Sequence, residues 1–175
     1  LAPGTYTLTS IDNGQSPGSA NGLPVISSAM TIKGGSAETT IIEREEGAGE
    51  SPLEPEPTVP RFRILLVAAN GRLTIDGMTI RGGSTALRGG GISNGGTLTI
   101  HRSIIEHNSG LGGGGGVVNN GTLMLSTTHI RENFAHDGGG ILNFGKATII
   151  DSSIVQNTGD SVGGFYNEAS GTATI

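Results

Sequence analysis

The sequence predicts an all-β chain wound as a single-stranded, right-handed parallel β-helix, a solenoid of three-strand coils with 24 or 25 residues per coil. Three observations lead there. Residues 90–108, 115–133 and 139–157 are copies of one another, with Asn94, Asn119 and Asn143 spaced by 25 and then 24 residues and Asn108, Asn133 and Asn157 spaced identically. Within each copy the two Asn are always 14 residues apart. The 32 glycines recur at fixed places in these copies, so they punctuate a repeat and do not mark disorder.

Several solenoids have periods near this one, and local physics separates them. Glycine every five or six residues would destroy the long amphipathic segments that helical repeats need. The Leu and Asn spacing of leucine-rich repeats is absent. A coil of three short strands remains, each strand pairing with its equivalent about 4.8 Å away in the next coil. Equivalent positions then stack in columns: Ile75, Ile100, Leu125, Ile149 and Ile175; Ile80, Ile105, Ile130 and Ile154; and Val67, Ile92, Val117, Ile141 and Phe165. These columns are the expected core, with Thr74, Thr99, Met124, Thr148 and Thr174 facing out. The Asn columns are expected where strands turn, in left-handed backbone conformations and with their amides bonded from coil to coil. The right-handed coiling follows from the general handedness of parallel crossovers.

Composition agrees with a thin, long core. Only 34% of the residues are hydrophobic, and four Phe, two Tyr and no Trp exclude a large aromatic interior. Cys is absent, which removes disulfides and thiol ligands. No apolar run reaches the ~18 residues of a membrane span. Residues 1–60 carry a net charge of −6 and residues 61–175 a net +1, so neither part has the basic surface of a nucleic-acid binder.

Taken in order, Leu1-Ala2-Pro3-Gly4-Thr5-Tyr6-Thr7-Leu8-Thr9 reads as a turn and an alternating strand, followed by a polar loop over 12–21. Short apolar runs at 23–26, 30–32 and 39–42 match one coil. An acidic, Pro-rich insertion over 43–60 interrupts the pattern, and 62–67 resumes it. The copies follow, preceded by a degenerate one over 67–83, and a fourth begins at Gly163-Gly164-Phe165-Tyr166-Asn167. The whole of 1–175 is expected to be one β-helix domain within a longer chain, since Leu1 opens without a leader or cap and Ile175 falls in mid-coil. Open coil ends of that kind would be covered by further coils or by neighbouring chains, making self-association possible.

The pairing of Gly89-Gly90-Gly91-Ile92 with Ile105 and Asn108, repeated by Gly138-Gly139-Gly140-Ile141 with Ile154 and Asn157, resembles the repeats of polymorphic outer membrane proteins and related bacterial surface proteins. The opening 1–6 resembles the first coil of secreted pectate-lyase-like β-helix proteins. The resemblance implies a secreted, cell-surface or outer-membrane location and a structural or adhesive, non-catalytic role. Its alternative is a carbohydrate-active domain, a polysaccharide lyase or glycoside hydrolase, with carbohydrate as partner.

No catalytic or cofactor-binding residue stands out, and the metal-binding status is open. Asp76, His101 and Ser126 lie 25 apart in the order of a hydrolytic triad, but an outward column on a solenoid is flat and wet, and coincidence is the expectation. Arg81, Glu106 and Arg131 form a column of alternating sign, expected as a surface charge ladder. Lyases of this fold gather Asp on neighbouring coils to hold calcium, whereas Asp76, Asp137, Asp151 and Asp160 are scattered; His136 and Asp137 with Asp160 come nearest to a cluster. The histidines His101, His107, His129 and His136 lack metalloprotease spacing. The glycine run 112–116 lacks the Lys of a phosphate loop, and Asn120-Gly121-Thr122 is a formal glycosylation acceptor without further support. Glu43, Glu45, Glu46, Glu50, Glu54 and Glu56 crowd the insertion, where a calcium or partner-binding loop is the alternative to a solvated excursion.

Overall fold

A computed structural model describes residues 1–13, 20–45 and 60–175. These residues form a parallel β-helix whose strands pair only with their equivalents in adjacent coils. The Ile92 sheet contains Leu65–Val67, Ile92–Asn94, Val117–Asn119, Ile141–Asn143 and Phe165–Asn167. The Leu98 sheet contains Ala29–Lys33, Arg72–Asp76, Thr97–His101, Thr122–Ser126, Lys146–Ile150 and Thr172–Thr174. The Ile105 sheet contains Gly4–Leu8, Thr40–Arg44, Thr79–Arg81, Ile104–Glu106, His129–Arg131 and Ser153–Val155. Those are the three strands per coil that the repeat predicts. The structure adds a fourth, short one, the Ser109 sheet of Ser84–Thr85, Ser109–Gly110, Phe134–Asp137 and Thr158–Val162.

Two of the expected core columns stand in register. Ile75, Ile100, Leu125 and Ile149 stack in the Leu98 sheet, and Ile42, Ile80, Ile105, Ile130 and Ile154 stack in the Ile105 sheet. Ile175 lies beyond the last strand and is 86% exposed, so Ile149 is the last buried member of its column. The third column needs a correction. Leu65, not Val67, pairs with Ile92, and Val67 pairs with Asn94. The sequence 64–67 is apolar throughout, so composition could not fix its register; the pairing places a buried Val where later coils have Asn. A further inward column, Leu73, Leu98, Leu123 and Ala147, completes a single buried cluster. Of the run 23–26, only Ile26 pairs, with Val67. Glu43 and Arg44 belong to the strand Thr40–Arg44, while the expected insertion's residues 46–59 lie outside the described residues.

The repeated coils turn at four corners, two of them held by Asn, one by hydroxyls and one by glycine. After the Ile92 sheet, Asn94 Nδ2 donates to Asn119 Oδ1, Asn119 to Asn143 and Asn143 to Asn167, each at 2.7 Å. After the Leu98 sheet a hydroxyl takes over: Ser103 Oγ accepts from Met78 N–H at 3.3 Å and Ser152 Oγ accepts from Thr128 N–H at 3.1 Å. After the Ile105 sheet a second Asn ladder runs through Asn108, Asn133 and Asn157 at 3.0 and 2.9 Å. There Asn133 Nδ2 also donates to the carbonyls of Ile105 and Arg131, while its Oδ1 accepts from Asn108 N–H.

The ladder bonds match expectation, but the backbone angles do not. The left-handed residues are Arg102, Thr127 and Asp151 at one corner and His107, Glu132 and Gln156 at the next, with φ between 46° and 55°. The last three each precede a ladder Asn. An Asn whose amide is drawn inward to backbone groups keeps an ordinary backbone, and the strain, about 1 kcal/mol or more per residue, falls on its exposed neighbour.

The fourth corner explains the triple glycine. Gly89 has φ +73°, Gly90 sits so that a Cβ would lie 2.3 Å from Ser109 O, and a Cβ on Gly91 would lie 3.0 Å from the amide of Asn108. Gly138, Gly139 and Gly140 repeat the set. Gly115→Ala should therefore cost about 1 to 3 kcal/mol in urea unfolding, because the new methyl meets Phe134 O at 2.3 Å, whereas Gly164→Ala, whose nearest neighbour is at 3.7 Å, should stay within about half a kcal/mol. Equal effects would refute the close-approach account. Asn133→Ala should cost about 1 to 3 kcal/mol through the buried groups it leaves unsatisfied.

Candidate functional site

Outward side chains of the coils stand in register, so chemistry on this fold depends on which of them meet. Asp76, His101 and Ser126 are adjacent in the Leu98 sheet, and His101 Nδ1 shares a hydrogen bond of 2.7 Å with Ser126 Oγ. The acid is turned elsewhere. Both carboxylate oxygens of Asp76 accept from Arg102 Nη2 at 2.7 Å, and Lys33 Nζ lies 3.8 Å from Oδ2. Arg102, left-handed at the corner, reaches back along the column and takes the acid that a triad would aim at the histidine. Among the described residues His101 and Ser126 are thus a pair, with no acid bonded to the imidazole.

The charged column lies on the Ile105 sheet and is longer than the three residues evident from spacing, with Thr7, Glu43, Arg81, Glu106 and Arg131 in register. Its pairing is also selective. Arg81 bonds Glu43, Nε at 2.7 Å and Nη2 at 2.6 Å, and Thr7 Oγ1 donates to the other oxygen of Glu43 at 3.1 Å. Arg131 bonds Glu106 Oε2 through Nε at 2.9 Å and Nη2 at 2.8 Å. A groove of about 610 Å³ runs beside this column, lined by Thr7, Glu43, Glu45, Arg81, Gly82 and His107.

At the corner next to the column, His107 Nε2 lies 3.2 Å from Glu132 Oε2 and His107 Nδ1 lies 4.0 Å from Glu106 Oε1. The positions of Gly82, His107, Glu132 and Gln156 repeat at the coil period but fall in a turn. Columns drawn through strand positions do not include them, so His107 and Glu132 go unpaired in the sequence; the 25-residue interval between the two is the signal that links them.

A second groove, of about 320 Å³, lies where the Leu98 and Ile105 sheets meet and is lined by Ser36, Glu38, Arg102, Ser103, Thr127 and His129. The Glu38 carboxyl is held below its ordinary value by its own backbone amide and by Ser36, with a smaller pull from His129. That stabilisation is present above the ordinary carboxylate range and disappears as pH falls through the depressed value. His129 Nδ1 shares a 2.7 Å hydrogen bond with Ser153 Oγ. On the Ser109 sheet, His136 Nδ1 contacts Asp160 Oδ2, joining two of the three residues grouped by sequence. Asp137 stands apart from that contact, because a bulge shifts its register to Val162.

Asp151 is exposed at its own corner, and the four Asp remain scattered as expected. The run 112–116 is a turn, with a Cβ on Gly113 only 2.5 Å from Leu142 Cδ2. Of the insertion's acids, Glu43 and Glu45 are described, and Glu46, Glu50, Glu54 and Glu56 lie outside the described residues. No helix among the described residues is long and apolar enough to cross a membrane. Comparison with protein-family models, with curated proteins and with solved structures finds no match.

The broken triad and the paired Glu106 can each be tested. A fluorophosphonate probe, which labels activated serines, should leave Ser126 unlabelled in the folded protein, detected by peptide mass spectrometry; labelling abolished by His101→Ala would restore a catalytic dyad. Arg131→Met should lower stability by about 1 to 2 kcal/mol, because it strips the guanidinium from a Glu106 side chain only 10% exposed; an unchanged urea midpoint would show that the pair is idle.

Proposed function

We propose that this chain is a non-catalytic structural or adhesive segment of a secreted or cell-surface protein, of the repeat type found in polymorphic outer membrane proteins and related bacterial surface proteins. One observation supports the reading above the others: the outward acids of the strands engage cations that neighbour them along the stack. Asp76 is bound by Arg102, Glu43 by Arg81, Glu106 by Arg131 and His129 by Ser153. A catalytic carboxylate needs a proton to exchange and a substrate within reach; these are committed to cations or hydroxyls. The result is a set of stripes repeating about every 4.8 Å, a surface suited to lying along another extended chain, protein or carbohydrate. Thr74, Thr99 and Thr148 form one such stripe with the exposed Met124.

A carbohydrate-active reading draws on the groove beside Glu43, Glu45, Arg81 and His107, which holds acids together with a base. The ion pair of Glu43 with Arg81 weighs against it. Incubation with acidic and neutral polysaccharides, with and without calcium, separates the readings. The structural reading expects no unsaturated or reducing-end products above those of a heat-denatured control. Turnover lost in Glu43→Gln or Glu45→Gln would overturn it in favour of a lyase or hydrolase.

A further inference from the structure

We propose that Glu106, His107 and Glu132 form a binding site for a divalent transition-metal ion of the zinc type, which fastens one coil to the next. This goes beyond the structural reading and does not depend on it. One donor atom from each residue lies within 4.8 Å of the other two. With zinc bonds of roughly 2.0 to 2.2 Å in tetrahedral geometry, two ligands of one ion stand roughly 3.4 Å apart. Glu132 Oε2 and His107 Nε2 are 3.2 Å apart, and Glu106 Oε1 and His107 Nδ1 are 4.0 Å apart. The imidazole offers the ion one of its two nitrogens, so a small side-chain adjustment completes the set.

Glu106 makes this more than a surface cluster. Its side chain is nine-tenths buried, and Arg131 holds only Oε2. The other oxygen, Oε1, accepts no hydrogen bond among the described residues and faces the imidazole at a separation too long for one. Within a side chain so largely enclosed, this oxygen is the one left available to a water or an ion. Arg131 also fixes the carboxylate's orientation, as the outer partners of metal ligands commonly do. The site remains accessible, since the side chains of His107 and Glu132 are 53% and 38% exposed.

The chemistry of the donors selects the ion. Calcium and magnesium prefer all-oxygen sites, whereas one imidazole with two carboxylates suits zinc and its neighbours in the transition series. Three protein ligands leave a fourth position for water. Glu106 and His107 belong to one coil and Glu132 to the next, so the ion would bridge two left-handed corner residues, His107 and Glu132.

Isothermal titration calorimetry and thermal unfolding with zinc chloride test the site. Zinc should bind with one-to-one stoichiometry and raise Tm by several degrees, and a chelator should reverse the shift. Calcium chloride should do neither. His107→Asn and Glu132→Gln should each weaken zinc binding by roughly tenfold or more. Asn tolerates the left-handed conformation of position 107, so that variant is expected to fold; circular dichroism checks this. His136→Asn should bind zinc as the parent does. Absence of zinc binding, undiminished binding in His107→Asn or Glu132→Gln, or an equal response to calcium would overturn the proposal, as would loss of binding in His136→Asn, which would move the site to His136 and Asp160.

Discussion

A coil of about two dozen residues must reverse direction several times while stacked between two others, so its corner backbone groups are cut off from water. Satisfying them is the constraint on which the rest of this structure depends. Strands in a parallel stack bond their neighbours automatically; at the corners backbone bonds continue only in part, as from Gly82 N–H to His107 O and from His107 N–H to Glu132 O, both at 3.1 Å, and side chains take up what the backbone leaves. The two Asn ladders, the Ser and Thr hydroxyls and the bare glycines each resolve one corner. The Asn is well matched to its task because one amide both donates and accepts. Asn119 receives from Asn94 and donates to Asn143, so each side chain is satisfied by an identical copy of itself.

This arrangement locks the register from coil to coil and thereby fixes what the outer faces can be. Once equivalent residues are held one above another, an outward acid either meets a like charge or finds a cation in its column. Glu43, Arg81, Glu106 and Arg131 alternate in sign along the stack, with Arg81 pairing to Glu43 and Arg131 to Glu106 of the coil before it. Pairing in one direction leaves Glu106 Oε1 open toward His107, so the polarity of the charge ladder creates the carboxylate oxygen on which the proposed metal site rests.

The fold was legible because a repeat amplifies weak local signals. A single Ile in a Gly-rich stretch says little, whereas Ile80, Ile105, Ile130 and Ile154 at one interval define a column and a pairing register at once. Legibility failed where the copies degenerate. Residues 64–67 are all apolar, so nothing in them distinguishes Leu65 from Val67 as the partner of Ile92. Strands Ser84–Thr85 and Ser109–Gly110 stay hidden because Ser, Gly and Thr in such short runs carry little strand signal, and their pairing comes from the stack alone. At the candidate site, Arg81, Glu106 and Arg131 are visible as a column, yet their partner choice is a matter of side-chain direction. Arg102 taking Asp76 from His101 is likewise a rotamer outcome at a left-handed corner, to which a spacing rule is blind.

Buried Asn amides that bond along the stack are detected by side-chain hydrogen exchange followed by nuclear magnetic resonance. The Nδ2 hydrogens of Asn119 and Asn133 should exchange slowly, with protection comparable to the strand amides of Leu125 and Ile130, while those of the exposed Asn120 exchange as in a free peptide. Exchange of Asn119 and Asn133 at the rate of Asn120 would contradict the account, because the corners would then be open to water and the register would have to be held by the apolar columns alone.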